Sequence, residues 1–242
     1  MSALSSTQPP ADPRERLILA LDVPDFASAK ALVEKLGDSI VHYKIGLELA
    51  MTGDYFRLLD WLLAHDKQVF VDLKLHDIPA TVAGAVKQLR DCGATLLTVH
   101  GERPVVEAAA EHSGDQLRVL AVTVLTSMSQ QDLHDSGITT PLEELVQRRA
   151  QQAIAAGADG VVASGHEAAV LRSMLGAEPL IVTPGIRPAF SSGTQDQARV
   201  MTPRDAFERG ASHIVVGRPI RGAEDPRAAA LSIQREIAEA GP

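Results

Sequence analysis

The chain has 242 residues, enough to bury a sizeable core and an ordinary length for a single α/β barrel. Aromatic residues make up only 3% of it, so the core has to be built from Ala, Val, Leu and Ile. A formal charge of −8 and a pI near 5.5 exclude the basic face that a general nucleic-acid binder needs, although a few local cations can still hold a small anion. Cys92 is the single cysteine, which leaves no intrachain disulfide and no cysteine-based zinc site.

Residues 1–15, MSALSSTQPPADPRE, have neither a basic nor an apolar signal region and read as a mobile tail ahead of a domain spanning residues 16–242. Eight short apolar runs follow: Arg16–Val23, Val41–Gly46, Val69–Leu75, Leu96–Gly101, Arg118–Leu125, Gly160–Gly165, Leu180–Ile186 and His213–Ile220. Their near-continuous hydrophobicity predicts strands buried on both faces. None approaches the length of a membrane span, so the sequence predicts a soluble, cytoplasmic protein with no membrane partner. Helical spacing fills the intervals. Pro79 opens one helix, Val82, Val86 and Leu89 line its inner face, and Gly93 closes it. Leu142, Leu145, Val146, Ala153 and Ile154 mark another, ended by Gly157, and Ala230, Ile233 and Ile237 mark the last. Eight strand–helix units predict a single (β/α)8 TIM barrel. The rival open doubly wound sheet needs a Gly-rich first turn, and Leu21-Asp22-Val23-Pro24 supplies none. Two connections are long, Thr126–Pro141 and Pro188–Pro203; the second has the small, polar composition of an active-site lid.

Barrel chemistry sits where strands end, and the charged residues fall there. Asp22 ends the first strand, Lys44 the second, Asp72 and Lys74 the third and His100 the fourth, with Asp77 just beyond. Alternation puts Asp72 and Lys74 on one side. Lys44, Asp72, Lys74 and Asp77 sum to zero charge, which is how such groups tolerate an apolar barrel. A buried ion-pair network that only fixes the fold is the plainer reading, but four ionisable groups at one barrel end favour a site. Thr183-Pro184-Gly185-Ile186-Arg187 and Val215-Val216-Gly217-Arg218 end the seventh and eighth strands, where such barrels commonly hold phosphate. His76 and His100 lack HxH or HExxH spacing, and the lysines would compete with a cation, so no metal is expected. Ser127 and Ser164 have no visible base, which leaves hydrolase chemistry unsupported.

The run Asp72-Leu73-Lys74-Leu75-His76-Asp77-Ile78-Pro79-Ala80-Thr81-Val82 resembles the signature of the orotidine 5'-phosphate decarboxylases in their bacterial form. The resemblance continues through Leu21-Asp22-Val23, Lys44-Ile45-Gly46, Leu125-Thr126-Ser127, Thr183–Arg187, Asp196-Gln197 and Val216-Gly217-Arg218-Pro219. It implies decarboxylation of orotidine 5'-monophosphate to uridine 5'-monophosphate and CO2 in de novo pyrimidine biosynthesis, without cofactor or metal. By the same resemblance Lys74 donates the proton, Asp72 lies near the substrate carboxylate, and Asp22 and Lys44 hold ribose hydroxyls. Thr126 contacts the pyrimidine, and Arg187, Gln197, Gly217 and Arg218 serve the phosphate. Asp77 and Thr81 reach the neighbouring subunit's site, which implies a homodimer. The shorter DxKxxD pattern also occurs in magnesium-dependent keto-gulonate phosphate decarboxylases and in hexulose phosphate synthases. A third alternative is a catalytically silent phosphate-binding barrel.

Overall fold

A computed structural model describes residues 10, 12–191 and 201–241. Eight strands close a parallel barrel in sequence order, with the last pairing back onto the first. They are β1 (Leu17–Ala20), β2 (His42–Gly46), β3 (Gln68–Leu75), β4 (Leu96–His100), β5 (Arg118–Val122), β6 (Gly160–Val162), β7 (Leu180–Thr183) and β8 (His213–Val216). The connections carry α1 (Pro13–Arg16), α2 (Phe26–Leu36), α3 (Leu47–Ala50), α4 (Tyr55–Leu63), α5 (Pro79–Asp91) and α6 (Arg103–Ser113). They continue with α7 (Gln130–Asp135), α8 (Leu142–Ala155), α9 (Ala168–Leu175), α10 (Pro203–Glu208), α11 (Arg218–Arg221) and α12 (Pro226–Glu239). Among the described residues, no helix is long and apolar enough to cross a membrane.

All eight predicted strands form, but most end short of the apolar run that announced them. The run to Leu125 pairs only as far as Val122, and the run to Ile186 only as far as Thr183. The surplus residues leave the ladder to line the barrel mouth. The three predicted helices are α5, α8 and α12. In α5, Pro79 takes the first turn, Val82, Val86 and Leu89 are buried, and Gly93 turns the chain at φ +86°. Each Val or Leu fully buried on such a face contributes roughly 1.5–3 kcal/mol. The first long connection contains a helix that spacing alone did not predict. In α7 the Ser129 side chain accepts from the Asp132 amide while Asp132 accepts from the Ser129 amide, so a polar six-residue segment is held by its cap.

Of the expected tail, residues 1–9 and 11 lie outside the described residues, as do residues 192–200 of the expected lid. Residues 13–16 form α1 beneath the barrel, capped by the Asp12 carboxylate. Arg16 ends this helix, stacks 4.1 Å above the Phe207 ring and donates to the Gly241 carbonyl.

Most of the core lies between barrel and helices. Inside the barrel a smaller layer joins Ile18, Ala20, Phe70, Leu96, Leu120, Val182 and Val215. Below that layer His42 and His213 are buried with their rings edge to face at 6.1 Å. Burial is the main reason that His42 falls to a pKa of about 4 and His213 to about 3, with Arg16 and His42 adding repulsion at His213. Both rings are therefore neutral in the folded chain at pH 7.

Below the unfolded value near 6.5, the unfolded chain takes up protons that the folded chain refuses, so stability falls with pH. Between pH 6.5 and 5 the loss is on the order of 2 kcal/mol per histidine. Urea midpoints should fall across that window in the natural chain. In the double variant His42→Gln, His213→Gln the slope should be markedly flatter; equal slopes would show that the pair does not carry this dependence.

Candidate active site

At the C-terminal end of the barrel, four charges form an alternating chain. Lys44 Nζ lies 3.0 Å from Asp22 Oδ1 and 3.3 Å from Asp72 Oδ2, and Lys74 Nζ lies 2.7 Å from Asp72 Oδ1. The central pair is the least accessible, with the Lys44 and Asp72 side chains 12% and 14% exposed. Burial alone would raise the Asp72 carboxyl, but Lys44, Lys74 and hydrogen bonds from Lys74 and Thr98 outweigh it and hold the group below its ordinary value. Asp72 is thus a carboxylate at neutral pH, with Oδ2 facing Lys44 and Oδ1 taken by Lys74 and by the Thr98 hydroxyl at 2.9 Å.

Regular alternation was expected to bring Lys74 beside Asp72; the backbone reaches that result by another route. Val71 pairs with Leu97 and Leu75 with Val99, so four residues of β3 advance along only two of β4. Lys74 sits in this irregular stretch at φ +50°, the left-handed region that L side chains avoid. Its amide, out of register with the ladder, donates to Thr98 Oγ1 at 3.0 Å.

Asp77 departs from the expected four-residue cluster. It is exposed, its carboxylate accepts from the Ile78 amide at 2.6 Å, and among the described ion pairs of the single chain it joins neither lysine. Asp22 occupies the fourth place in the charge balance. Thr81 is likewise exposed, on the first turn of α5. His76 and His100 stack with centroids 4.5 Å apart, and Glu102 lies 3.7 Å from the first and 4.0 Å from the second. Burial keeps the His100 ring below the usual imidazole value against the pull of Glu102.

The charges open onto a cavity of about 160 Å³. Lys44, Asp72 and Lys74 form one side, Phe70, Val122, Val182 and Val215 the apolar floor and wall, and Leu125, Thr126 and Pro184 the rim. Such a pocket takes a small planar group with its polar edge toward the ammoniums. Gly217 follows β8 near Asp22, and a Cβ there would lie 3.5 Å from the Ala20 side chain. Arg218 begins α11 in an exposed position, and Arg187 follows β7 with its amide bonded to the Met201 carbonyl. Gln197 lies outside the described residues. Sequence reading missed Thr98, whose hydroxyl touches both members of the Asp72–Lys74 pair, and named Gly46 only within the Lys44-Ile45-Gly46 stretch, without its part in leaving room for the Lys44 ammonium.

A closed (β/α)8 barrel with paired lysines and aspartates at the C-terminal ends of its strands has the frame of a barrel enzyme, which places its site at that end. The model of the orotidine 5'-phosphate decarboxylase / HUMPS family matches residues 15–233. The chain belongs to that family. It is 54% identical over 223 residues to an orotidine 5'-phosphate decarboxylase of Methylococcus capsulatus, covering 92% of each chain. A Rhodopseudomonas palustris protein of the same name is 52% identical over 232 residues, covering 96% of this chain and 97% of its own. Among solved structures, the Lactobacillus acidophilus orotidine 5'-phosphate decarboxylase superposes with a TM-score of 0.80 at 36% identity, over 91% of this chain and 98% of that one. The Pyrococcus horikoshii enzyme gives 0.74 at 27% identity, over 92% and 99%.

A Cβ on Gly46 would lie 3.2 Å from Lys44 Nζ and 3.8 Å from Asp22 Oδ1. Since the nearest atom ends a flexible side chain, Gly46→Ala should displace the ammonium and leave the fold intact. The expected outcome is at least about a tenfold loss of decarboxylase turnover, equivalent to ~1.4 kcal/mol, with a melting temperature within a few degrees of the natural chain. Unchanged turnover would separate the position of Lys44 from catalysis.

Proposed function

We propose that this chain decarboxylates orotidine 5'-monophosphate to uridine 5'-monophosphate and CO2 in de novo pyrimidine biosynthesis, with Lys74 as proton donor, Lys44 and Asp72 as its charged partners within the chain, and Asp77 joining the network from the neighbouring subunit. The observation that carries the reading is near full-length identity above one half to proteins named for that activity, joined to the Asp72–Lys74 contact of 2.7 Å.

In this reaction the bond between the ring carbon and its carboxylate breaks, and the electron pair stays on that carbon. With no cofactor as electron sink, the protein's own charges have to stabilise the carbanion. The Lys74 ammonium, held by Asp72, is the fixed positive charge beside the developing pair, and its proton then completes the new C–H bond. Proton donation of this kind typically supplies about 10²–10⁴-fold. The substrate carboxylate would lie near Asp72. Two like charges about 4 Å apart at an effective dielectric near 20 repel by roughly 4 kcal/mol, or about three decades if fully relieved at the transition state. Lys44 and Lys74 offset part of that repulsion.

Asp22 and Lys44 would hold the ribose hydroxyls, Thr126 the pyrimidine, and Arg187, Gln197, Gly217 and Arg218 the phosphate. An arginine–phosphate contact contributes roughly 1.5–3 kcal/mol. Binding there holds the ring against the charges, so remote affinity is converted into rate. We further propose a cytoplasmic homodimer in which Asp77 and Thr81 complete the neighbouring subunit's site. Their exposure supports this, as does that of Leu47, Met51 and Ile78 after the adjacent strands β2 and β3.

The test is the loss of ultraviolet absorbance when orotidine monophosphate meets the purified protein in excess EDTA. Conversion should proceed. No conversion in EDTA, with turnover of a keto-sugar phosphate once magnesium is added, would move the chain to the metal-dependent branch. Lys74→Ala should abolish turnover with circular dichroism unchanged, and near-normal turnover would overturn its role. Arg218→Ala should weaken kcat and substrate affinity together; a normal kcat would detach the phosphate from the chemical step.

A further inference from the structure

We propose that the Thr98 hydroxyl is the positioning group that locks the Asp72–Lys74 pair, accepting from the Lys74 backbone and donating to the Asp72 carboxylate. The inference rests on the reading of Asp72 and Lys74 as the reacting pair and adds a residue to it.

Thr98 lies on β4, is fully buried, and follows Leu96 at the two-residue spacing that places both toward the barrel interior. Its hydroxyl makes two contacts with opposite roles: Lys74 N donates to Oγ1 at 3.0 Å, and Oγ1 donates to Asp72 Oδ1 at 2.9 Å. The register shift in β3 puts the Lys74 amide out of step with the β4 backbone, and the side chain of Thr98 stands in for the missing carbonyl. The left-handed φ of Lys74 is thereby tied to the same oxygen that orients the carboxylate facing its ammonium. Backbone, carboxylate and ammonium close a ring through one hydroxyl. A threonine that merely satisfied itself in a core would not need both contacts to fall on the two reacting residues.

Thr98→Val keeps the shape and removes the donor and the acceptor. It should lower kcat about 10–100-fold with KM changed by less than about threefold, since the loosened pair acts on the chemical step. Thr98→Ser should restore kcat to within about threefold of the natural chain. The acid limb of the pH–kcat profile should move to higher pH in Thr98→Val, because the Thr98 hydrogen bond is one of the influences that lower the Asp72 carboxyl, and return in Thr98→Ser. A purely structural role would lower the melting temperature and leave that limb in place. If the valine variant fails to fold, Thr98→Cys, a weak donor, should rank well below serine. Unchanged kcat and acid limb in Thr98→Val, or equal cysteine and serine variants, would overturn the proposal. Normal turnover by Lys74→Ala would remove the pair itself, and the inference with it; an inactive Lys74→Ala beside a normal Thr98→Val would remove the role of Thr98 alone.

Discussion

Asp72 divides its two carboxylate oxygens between Lys44 and Lys74 at the mouth of a barrel whose wall is Phe, Leu and Val. Removing any one of the three would leave its neighbours with uncompensated charge in a poorly solvated place, which costs several kcal/mol. Asp22 balances the set, so the four charges sum to zero before any substrate arrives. A ligand with a carboxylate would enter a site already neutral. The apolar wall opposite strengthens each of these interactions by excluding water from one side of them.

The barrel separates tasks along its axis. One end carries the charges and the cavity. The other is closed by α1 and α12, where Arg16 reaches the Gly241 carbonyl and lies over Phe207, and by the neutral pair His42 and His213. The middle layer is a handful of aliphatic side chains with Phe70, which fills the barrel between the two ends. A chain so poor in aromatic residues reaches that density because Ala, Val, Leu and Ile fit the close approach of helix to strand.

Much of this was legible before any coordinates, for physical reasons. Strands buried on both faces have to be apolar throughout, so eight of them announce themselves, and Pro79 and Gly93 bracket α5 because each suits only one end of a helix. Charged residues in such runs stand out, which is why Asp22, Lys44, Asp72 and Lys74 were found. Helix α7 was not found, because a short polar segment held by Ser129 and Asp132 has no apolar stripe to reveal it; the Ser-x-x-Asp spacing was the available signal. Asp77 lay past its strand end, where alternation gives no direction. Thr98 was passed over because a threonine in a strand is common, although its inward register one step before His100 marked it. No reading of periodicity would have revealed the register shift in β3, since the sequence there alternates as a regular strand should.

The left-handed backbone at Lys74 sets two selective pressures against each other. A glycine would relax that position at no steric cost, whereas lysine holds a conformation about 1–2 kcal/mol less favourable for an L-residue. The backbone alone therefore favours glycine here, while the 2.7 Å contact of the lysine with the largely buried Asp72 opposes that change. Position 74 is in that sense a point of tension, where the backbone's preference and the charge balance of the barrel mouth pull in opposite directions.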